Sequence, residues 1–221
     1  MDGNGRWAKA RGLERVQGHL QGTESVRACL EEAVSQGIEY LSLYAFSEEN
    51  WNRPAEEVSY LMELMFKSMV KELDNLLRNR IRFRVLGNRS RLSDKLNEEI
   101  DHLEKVTSEN FTTTLVVFMS YSGKWDLLQA FKKMAAELSP EEIEKAEIGD
   151  VDRFLVTAGL PDPDLLIRTS GEVRISNYLL WQSAYTEFYF TDVLWPDFGK
   201  EDFRKALDDY ARRDRRYGKV K

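Results

Sequence analysis

The sequence predicts an α/β fold, a single domain whose mostly parallel central sheet is covered by helices on both faces. Helix-like and strand-like segments alternate along the chain, and the strands are apolar on both faces. Polar clusters follow three of them, at Ser47 to Arg53, Ser120 to Lys124 and Arg168 to Ser176. In parallel sheets ligands bind beyond the carboxyl ends of the strands, so the three clusters are expected on one rim.

Thr23 to Gln36 reads as a helix, with Val26, Leu30, Ala33 and Val34 on one face and Gly37 as its stop. Ile38 to Phe46 reads as a buried strand. Pro54 to Arg78 is a long helix with proline in its first turn. Ile81 to Leu86 alternates apolar and basic residues, a strand ending at Gly87. Ser93 caps a polar helix running to Glu109. Thr112 to Tyr121 is rich in β-formers and apolar in its middle, and Lys124 to Leu138 returns to helix. Short helices are expected from Ser139 and over Asp150 to Ala158. Leu165 to Ile167 and Glu187 to Phe190 are short strands, and Gly199 to Arg216 is a closing helix. There is no repeat, low-complexity tract or linker, so one domain is expected over 1–221.

Lysine and arginine total 32 against 38 acidic residues, a formal charge of −6. That balance speaks against sequence-independent nucleic-acid binding, which needs broad phosphate neutralisation. Phosphate chemistry here must rest on a local cluster of arginines. One cysteine, Cys29, excludes an intrachain disulfide and fits a reducing cytoplasm. No segment has the unbroken apolar length of a membrane span, and no signal peptide is expected ahead of the first motif.

In Asp2-Gly3-Asn4-Gly5-Arg6-Trp7 two glycines flank an asparagine, which permits unusual backbone angles and close approach of a ligand. A helix starting nearby would aim free N–H groups at an anion; Arg6 adds charge and Asp2 is a candidate magnesium ligand. A tight turn with an exposed aspartate explains the same residues. Arg11, Arg15 and His19 have helical spacing and are expected on one face, which a plain solvated basic face also explains. With only His19 and His102 present, a histidine-rich metal site is excluded, while a hard cation held by oxygens stays open.

Ser47, Asn50 and Arg53 leave a strand and enter a proline-started helix; they are candidates to hydrogen-bond a substrate and hold a phosphate, or simply form a capping loop with Trp51 in the core. Arg168-Thr169-Ser170-Gly171-Glu172-Val173-Arg174-Ile175-Ser176-Asn177 combines forked guanidinium donors with short hydroxyls, a composition suited to a diphosphate, although a plain polar loop explains it too. Glu187 is a candidate second acidic group near the cation. The long helix from Pro54 is apolar over more than one stripe and carries three methionines between Met62 and Met69. A buried or interfacial helix accounts for that, and so does the wall of a lipid tunnel.

The stretches MDGNGRWA, RGLERVQGH, LYAFSEENWNRP, SYSGKWD, PDPDLLIRTSGEVRISNYLLWQSAYTEFYF and VLWPDF resemble the cis-prenyltransferases, in particular the bacterial undecaprenyl diphosphate synthases, over nearly the whole chain. The resemblance implies an enzyme with an apolar tunnel that condenses isopentenyl diphosphate onto an allylic diphosphate, farnesyl diphosphate by expectation. The product would be a long polyprenyl diphosphate, undecaprenyl diphosphate, the lipid-carrier precursor of cell-wall synthesis. It implies Mg2+ as cofactor, a homodimer in the cytoplasm and transient membrane-surface contact for product release. Residue by residue, Asp2 resembles the aspartate that works with the metal and Glu187 a carboxylate associated with it. Gly3, Asn4, Gly5 and Arg6, with Arg15, resemble the cradle for the allylic diphosphate, His19 a histidine placed near the reacting groups, and Trp7 a substrate-binding position. Ser47, Asn50, Trp51 and Arg53 resemble the loop at the condensation site, with Asn50 catalytic. Arg168, Arg174 and Ser176 resemble the isopentenyl diphosphate site, and Arg216-Tyr217-Gly218 a tail reaching the partner's site.

Two departures qualify this. Ser120-Tyr121-Ser122-Gly123-Lys124 stands where many relatives read NYGGR, so no catalytic role is carried onto it. Relatives also have an apolar strand leading into the MDGNG stretch, and the domain is expected to lack that strand. A non-catalytic, partner-binding member of the same family is the alternative.

Overall fold

The computed structural model of the chain describes residues 1–215. Its elements are α1 (Asn4–Ala10), α2 (Arg15–Ser35), β1 (Tyr40–Ser47), α3 (Ala55–Arg78), β2 (Ile81–Leu86), α4 (Asp94–Val106), β3 (Thr113–Tyr121), α5 (Gly123–Glu137), α6 (Pro140–Glu144), α7 (Ile148–Asp152), β4 (Leu165–Arg168), β5 (Glu187–Phe190) and α8 (Lys200–Ala211). Single turns of 3-10 helix cover Glu48–Asn52, Arg89–Arg91 and Trp195–Asp197.

All strand pairs are parallel, as the alternation of elements requires, because parallel neighbours need a crossover and helices supply it. The strands nevertheless fall into two sheets rather than one. Strands β1-β3-β2 form the first and β4-β5 the second. The central strand β3 is buried almost throughout. Its alternate residues face different cores: Leu115, Val117 and Met119 pack with Leu30, Met69, Leu76 and Leu103, while Val116 and Phe118 pack with Leu166, Tyr178 and Leu179. This is the two-sided burial expected from its unbroken apolar run. Each large side chain so buried contributes about 1.5–3 kcal/mol.

Local chemistry sets the helix ends. Ser93 caps α4 by accepting from Leu96 N, and Ser139 and Glu142 form a reciprocal capping box on α6. Acidic Glu56 and Glu57 open α3 and Arg78 closes it, each matched to the helix dipole. Helix α2 begins eight residues earlier than its apolar periodicity suggested, at Arg15. The predicted helix over Asp150 to Ala158 is instead the short α7. Residues Arg216-Tyr217-Gly218 lie outside the described residues.

Two consequences position the site. The carboxyl ends of β1 and β3 lie side by side, with Ser47 opposite Tyr121. Strands β1 and β4, each paired on one edge only among the described residues, both line a large cavity.

Candidate active site

The cavity has a volume of about 1990 Å3 and an apolar interior with a polar mouth. Leu30, Leu61, Met65, Met69, Leu76, Phe83, Leu103 and Leu115 line it from α2, α3, α4 and the first sheet. The three polar clusters meet at its mouth, tied by hydrogen bonds. Asn177 Nδ2 donates to Glu49 at 2.6 Å, and Asn177 Oδ1 accepts from Lys124 N at 3.0 Å.

The glycine-rich start is built by close approach. Gly3 adopts φ 105°, and a side chain there would stand 3.0 Å from Ser170 Cβ. Helix α1 lies on α2 at Gly18, where a Cβ would come within 2.1 Å of Asn4 O. Asp2 is seated by Thr169: Asp2 N donates to Thr169 Oγ1 at 2.9 Å, and Thr169 Oγ1 donates to Asp2 O at 2.8 Å. Trp195 N adds a third bond to Asp2 O at 3.0 Å.

The Asp2 carboxylate points into a cluster of cations. Its Oδ2 accepts from Arg168 at 3.1 Å, and Arg6 lies 3.8 Å from Oδ1. Arg6 also donates to Ser170 O at 2.9 Å, and Arg168 to Ser176 Oγ at 2.6 Å and to Arg174 O. Glu172 bridges Arg6 at 3.2 Å and Arg174 at 2.5 Å, so one carboxylate collects both arginines. Arg15 and Arg53 share Glu57, at 3.2 and 3.0 Å, on the α2–α3 side of the mouth. Five guanidinium groups thus surround one opening, in a protein whose net charge is negative.

Several polar atoms there are buried without a partner among the described residues: Asn4 Oδ1, His19 Nε2 and Arg168 Nε. Buried polar groups are nearly always paired, so atoms left open at a cavity wall suit a ligand. Burial, reinforced by the nearby Arg53 and Arg15 charges, pushes the His19 imidazole down to about 4, so it stays neutral near pH 7. Asn50 Oδ1 accepts from Ser47 N at 3.1 Å and orders the loop after β1.

Of the residues singled out in the sequence, Asp2, Gly3, Asn4, Gly5, Arg6, Arg15, His19, Ser47, Asn50, Arg53, Arg168, Arg174 and Ser176 line this one cavity. Three do not. Trp7 turns outward to donate to Asp197 at 2.6 Å, with Arg11 over its ring. Trp51 packs on Phe46 and donates to Ser120 Oγ at 2.9 Å. Glu187 binds Arg213 at 2.8 Å. It pairs with Leu165, three residues before Arg168 reaches Asp2, which is about 10 Å along the strand. Arg11, Arg15 and His19 do not share a helix face either. Gly12 at φ 66° breaks the chain between α1 and α2 and leaves Arg11 on the outside.

Thr169, Glu172 and Asn177 were not singled out individually. All three lie inside the arginine-and-hydroxyl stretch, but only the fold reveals that Thr169 grips a residue 167 positions away.

A hard cation fits the Asp2 side of the mouth. Mg2+ is usually held by one or two carboxylates together with substrate phosphates and waters rather than by an all-protein cage. Asp2 beside an arginine-lined anion site has that donor set, and no cluster of three or more metal-ligating side chains occurs among the described residues.

Comparison with known proteins agrees with this geometry. The prenyltransferase family model described as undecaprenyl diphosphate synthase matches residues 1–218. A farnesyl-diphosphate-specific ditrans,polycis-undecaprenyl-diphosphate synthase of Legionella pneumophila is 48% identical, aligned over 100% of this chain and 93% of that protein. The Escherichia coli K12 synthase of the same name is 46% identical, over 99% and 87%. The crystal structure of lavandulyl diphosphate synthase from Lavandula x intermedia, in complex with dimethylallyl diphosphate, superposes with a TM-score of 0.95 at 34% identity, covering 99% of this chain and 95% of that one.

Proposed function

The chain belongs to the undecaprenyl diphosphate synthase family of prenyltransferases, and on that premise we propose that it condenses isopentenyl diphosphate onto farnesyl diphosphate to build a long polyprenyl diphosphate. The observation that carries this reading is the pairing of a five-arginine anion site with an apolar-walled cavity of about 1990 Å3. An enzyme that repeatedly extends an apolar tail from a diphosphate needs both parts in one cavity. Undecaprenyl diphosphate, for cell-wall lipid carrier, is the product we assign.

The reaction is an electrophilic alkylation. The C1–O bond of the allylic diphosphate breaks, the double bond of isopentenyl diphosphate attacks C1, and a proton is lost from the added unit. Arg6 and Arg15 hold the allylic diphosphate, with Gly3, Asn4 and Gly5 admitting it close to the backbone. Arg168, Arg174 and Ser176 hold the second diphosphate. Ser47, Asn50 and Arg53 order the reacting ends between them. The protein's share of catalysis is alignment and charge stabilisation. Asp2, together with the substrate phosphates, would hold Mg2+, whose chemistry there would be to offset charge on the departing diphosphate. Glu187, which pairs with Leu165 and binds Arg213, is given no share of that ion within one chain in this proposal.

We further assign the protein to the cytoplasm as a homodimer that touches the membrane surface to release product. No helix among the described residues is long and apolar enough to cross a membrane.

The test is incorporation of labelled isopentenyl diphosphate into extractable lipid, with farnesyl diphosphate, Mg2+ and detergent. Product that disappears with EDTA, and falls sharply in Asp2→Ala with the fold intact, is expected. Incorporation unaffected by EDTA would reject the metal, and folded protein without product would reject the reaction.

A further inference from the structure

We propose that the Arg27–Glu72 ion pair is a lateral latch on the tunnel and that it helps set how long the prenyl chain grows, an inference that rests on the function proposed above. Two ion pairs join α2 to α3. Arg15 to Glu57, at 3.2 Å, stands at the mouth beside Arg53. Arg27 to Glu72 stands twelve residues further along α2 and fifteen further along α3. At a rise of about 1.5 Å per residue these are about 18 and about 22 Å. The two helices therefore leave the mouth side by side, and the second pair spans them again deep along the cavity.

The wall changes character at that depth. Between the pairs, Val26 on α2 and Leu61, Met65 and Met69 on α3 present apolar surface, and beyond the second pair Leu30 and Leu76 do so again. Polar groups join the lining there: Thr23 one turn from Arg27, and Ser68 and Lys71 within about one turn of Glu72. Arg27 and Glu72 line the cavity, with 32% and 27% of their side chains accessible. A polar seam thus interrupts an aliphatic wall.

The pair is held from either flank. Arg27 also binds Glu24 at 2.8 Å, and Glu72 accepts from Asn75 at 3.0 Å. It remains partly solvated, and such pairs are weak links compared with interlocked core packing. A tail lengthening past it meets a part of the α2–α3 wall that is held by an ion pair and can part without opening a cavity in the core. Closed, the latch keeps the tail inside the tunnel. Open, it gives the tail a sideways exit and removes the limit that a closed end imposes.

The measurement is product length by reverse-phase chromatography, with farnesyl and isopentenyl diphosphates in detergent, for wild type, R27Q, E72Q and the charge swap R27E/E72R. The glutamine variants are expected to make products longer by whole isoprene units, with kcat/KM for farnesyl diphosphate within about twofold of wild type because the mouth is untouched. The swap is expected to return the wild-type length. E72D, which keeps the charge but draws it back by a methylene, should lengthen the product less and covers the case of a glutamine variant that does not fold. Wild-type lengths in every folded variant would overturn the latch while leaving the proposed reaction standing. Absence of any product from the folded wild type would overturn both.

Discussion

Thr169 holds Asp2 by its backbone at two points. The threonine is 1% exposed, and its single hydroxyl accepts from the Asp2 amide at 2.9 Å while donating to the Asp2 carbonyl at 2.8 Å. The loop after β4 thereby sets where the Asp2 carboxylate stands relative to Arg168, its neighbour in sequence.

Thr169→Val removes both bonds at nearly constant shape. Leaving the Asp2 amide buried without a partner costs about 1–3 kcal/mol. A displaced carboxylate should lower kcat on the order of tenfold to a hundredfold. Thr169→Ser keeps the hydroxyl and should retain most activity. Thermal unfolding and steady-state rates on both variants separate the two effects, and a Val variant with normal kcat would mean that the seat of Asp2 does not matter.

Gly18→Ala is expected to push α1 away from α2. The added Cβ would meet Asn4 O at 2.1 Å, a backbone contact with no flexible side chain to yield. Overpacking of this kind costs about 1–3 kcal/mol. Affinity for farnesyl diphosphate should fall more than affinity for isopentenyl diphosphate, because α1 carries Arg6 but not Arg168. Separate KM values for the two substrates check this.

Arg168→Lys should be costly although it keeps the charge. One guanidinium reaches Asp2, Ser176 and the Arg174 carbonyl together, and a lysine ammonium cannot reproduce that fork. A rise in KM for isopentenyl diphosphate on the order of tenfold is expected, about 1.4 kcal/mol. Unchanged KM would remove Arg168 from that subsite.

His19 predicts a pH slope in stability. Its folded value of about 4 lies below its ordinary 6.5, mainly through burial. Between those values the unfolded chain binds a proton that the folded chain does not, so stability is lost as pH falls from 6.5 towards 4 and is level above 6.5. The full shift corresponds to at most about 3.4 kcal/mol, less after solvent screening of the partly exposed ring. His19→Gln should remove that part of the slope. Denaturant titrations at pH 7 and pH 5 on both proteins measure it, and equal slopes would reject the assignment.

Periodicity and punctuation in the sequence determined the succession of elements, because those signals are local. Glu187 to Phe190 is a strand as read, β3 is buried on both faces, and the arginine-and-hydroxyl stretch after β4 brings Arg168, Arg174 and Ser176 to the cavity. Local signals failed where a residue's meaning depends on what crosses it. The apolar periodicity places the start of this helix at Thr23, yet α2 runs from Arg15 through Gly18 and Gly22, the glycines that let α1 and Trp195 approach. Trp7 and Trp51 belong to motifs that point at substrate, but their indole N–H groups find Asp197 and Ser120 and leave the cavity wall. Only the tertiary structure decided that Asp2 is held by Thr169, that Glu172 gathers two arginines, that Glu187 stands apart, and that Arg27 meets Glu72 across two helices. Each is a contact between residues whose separation in sequence carries no periodic trace. Chain direction and packing, not composition, bring them within hydrogen-bond range.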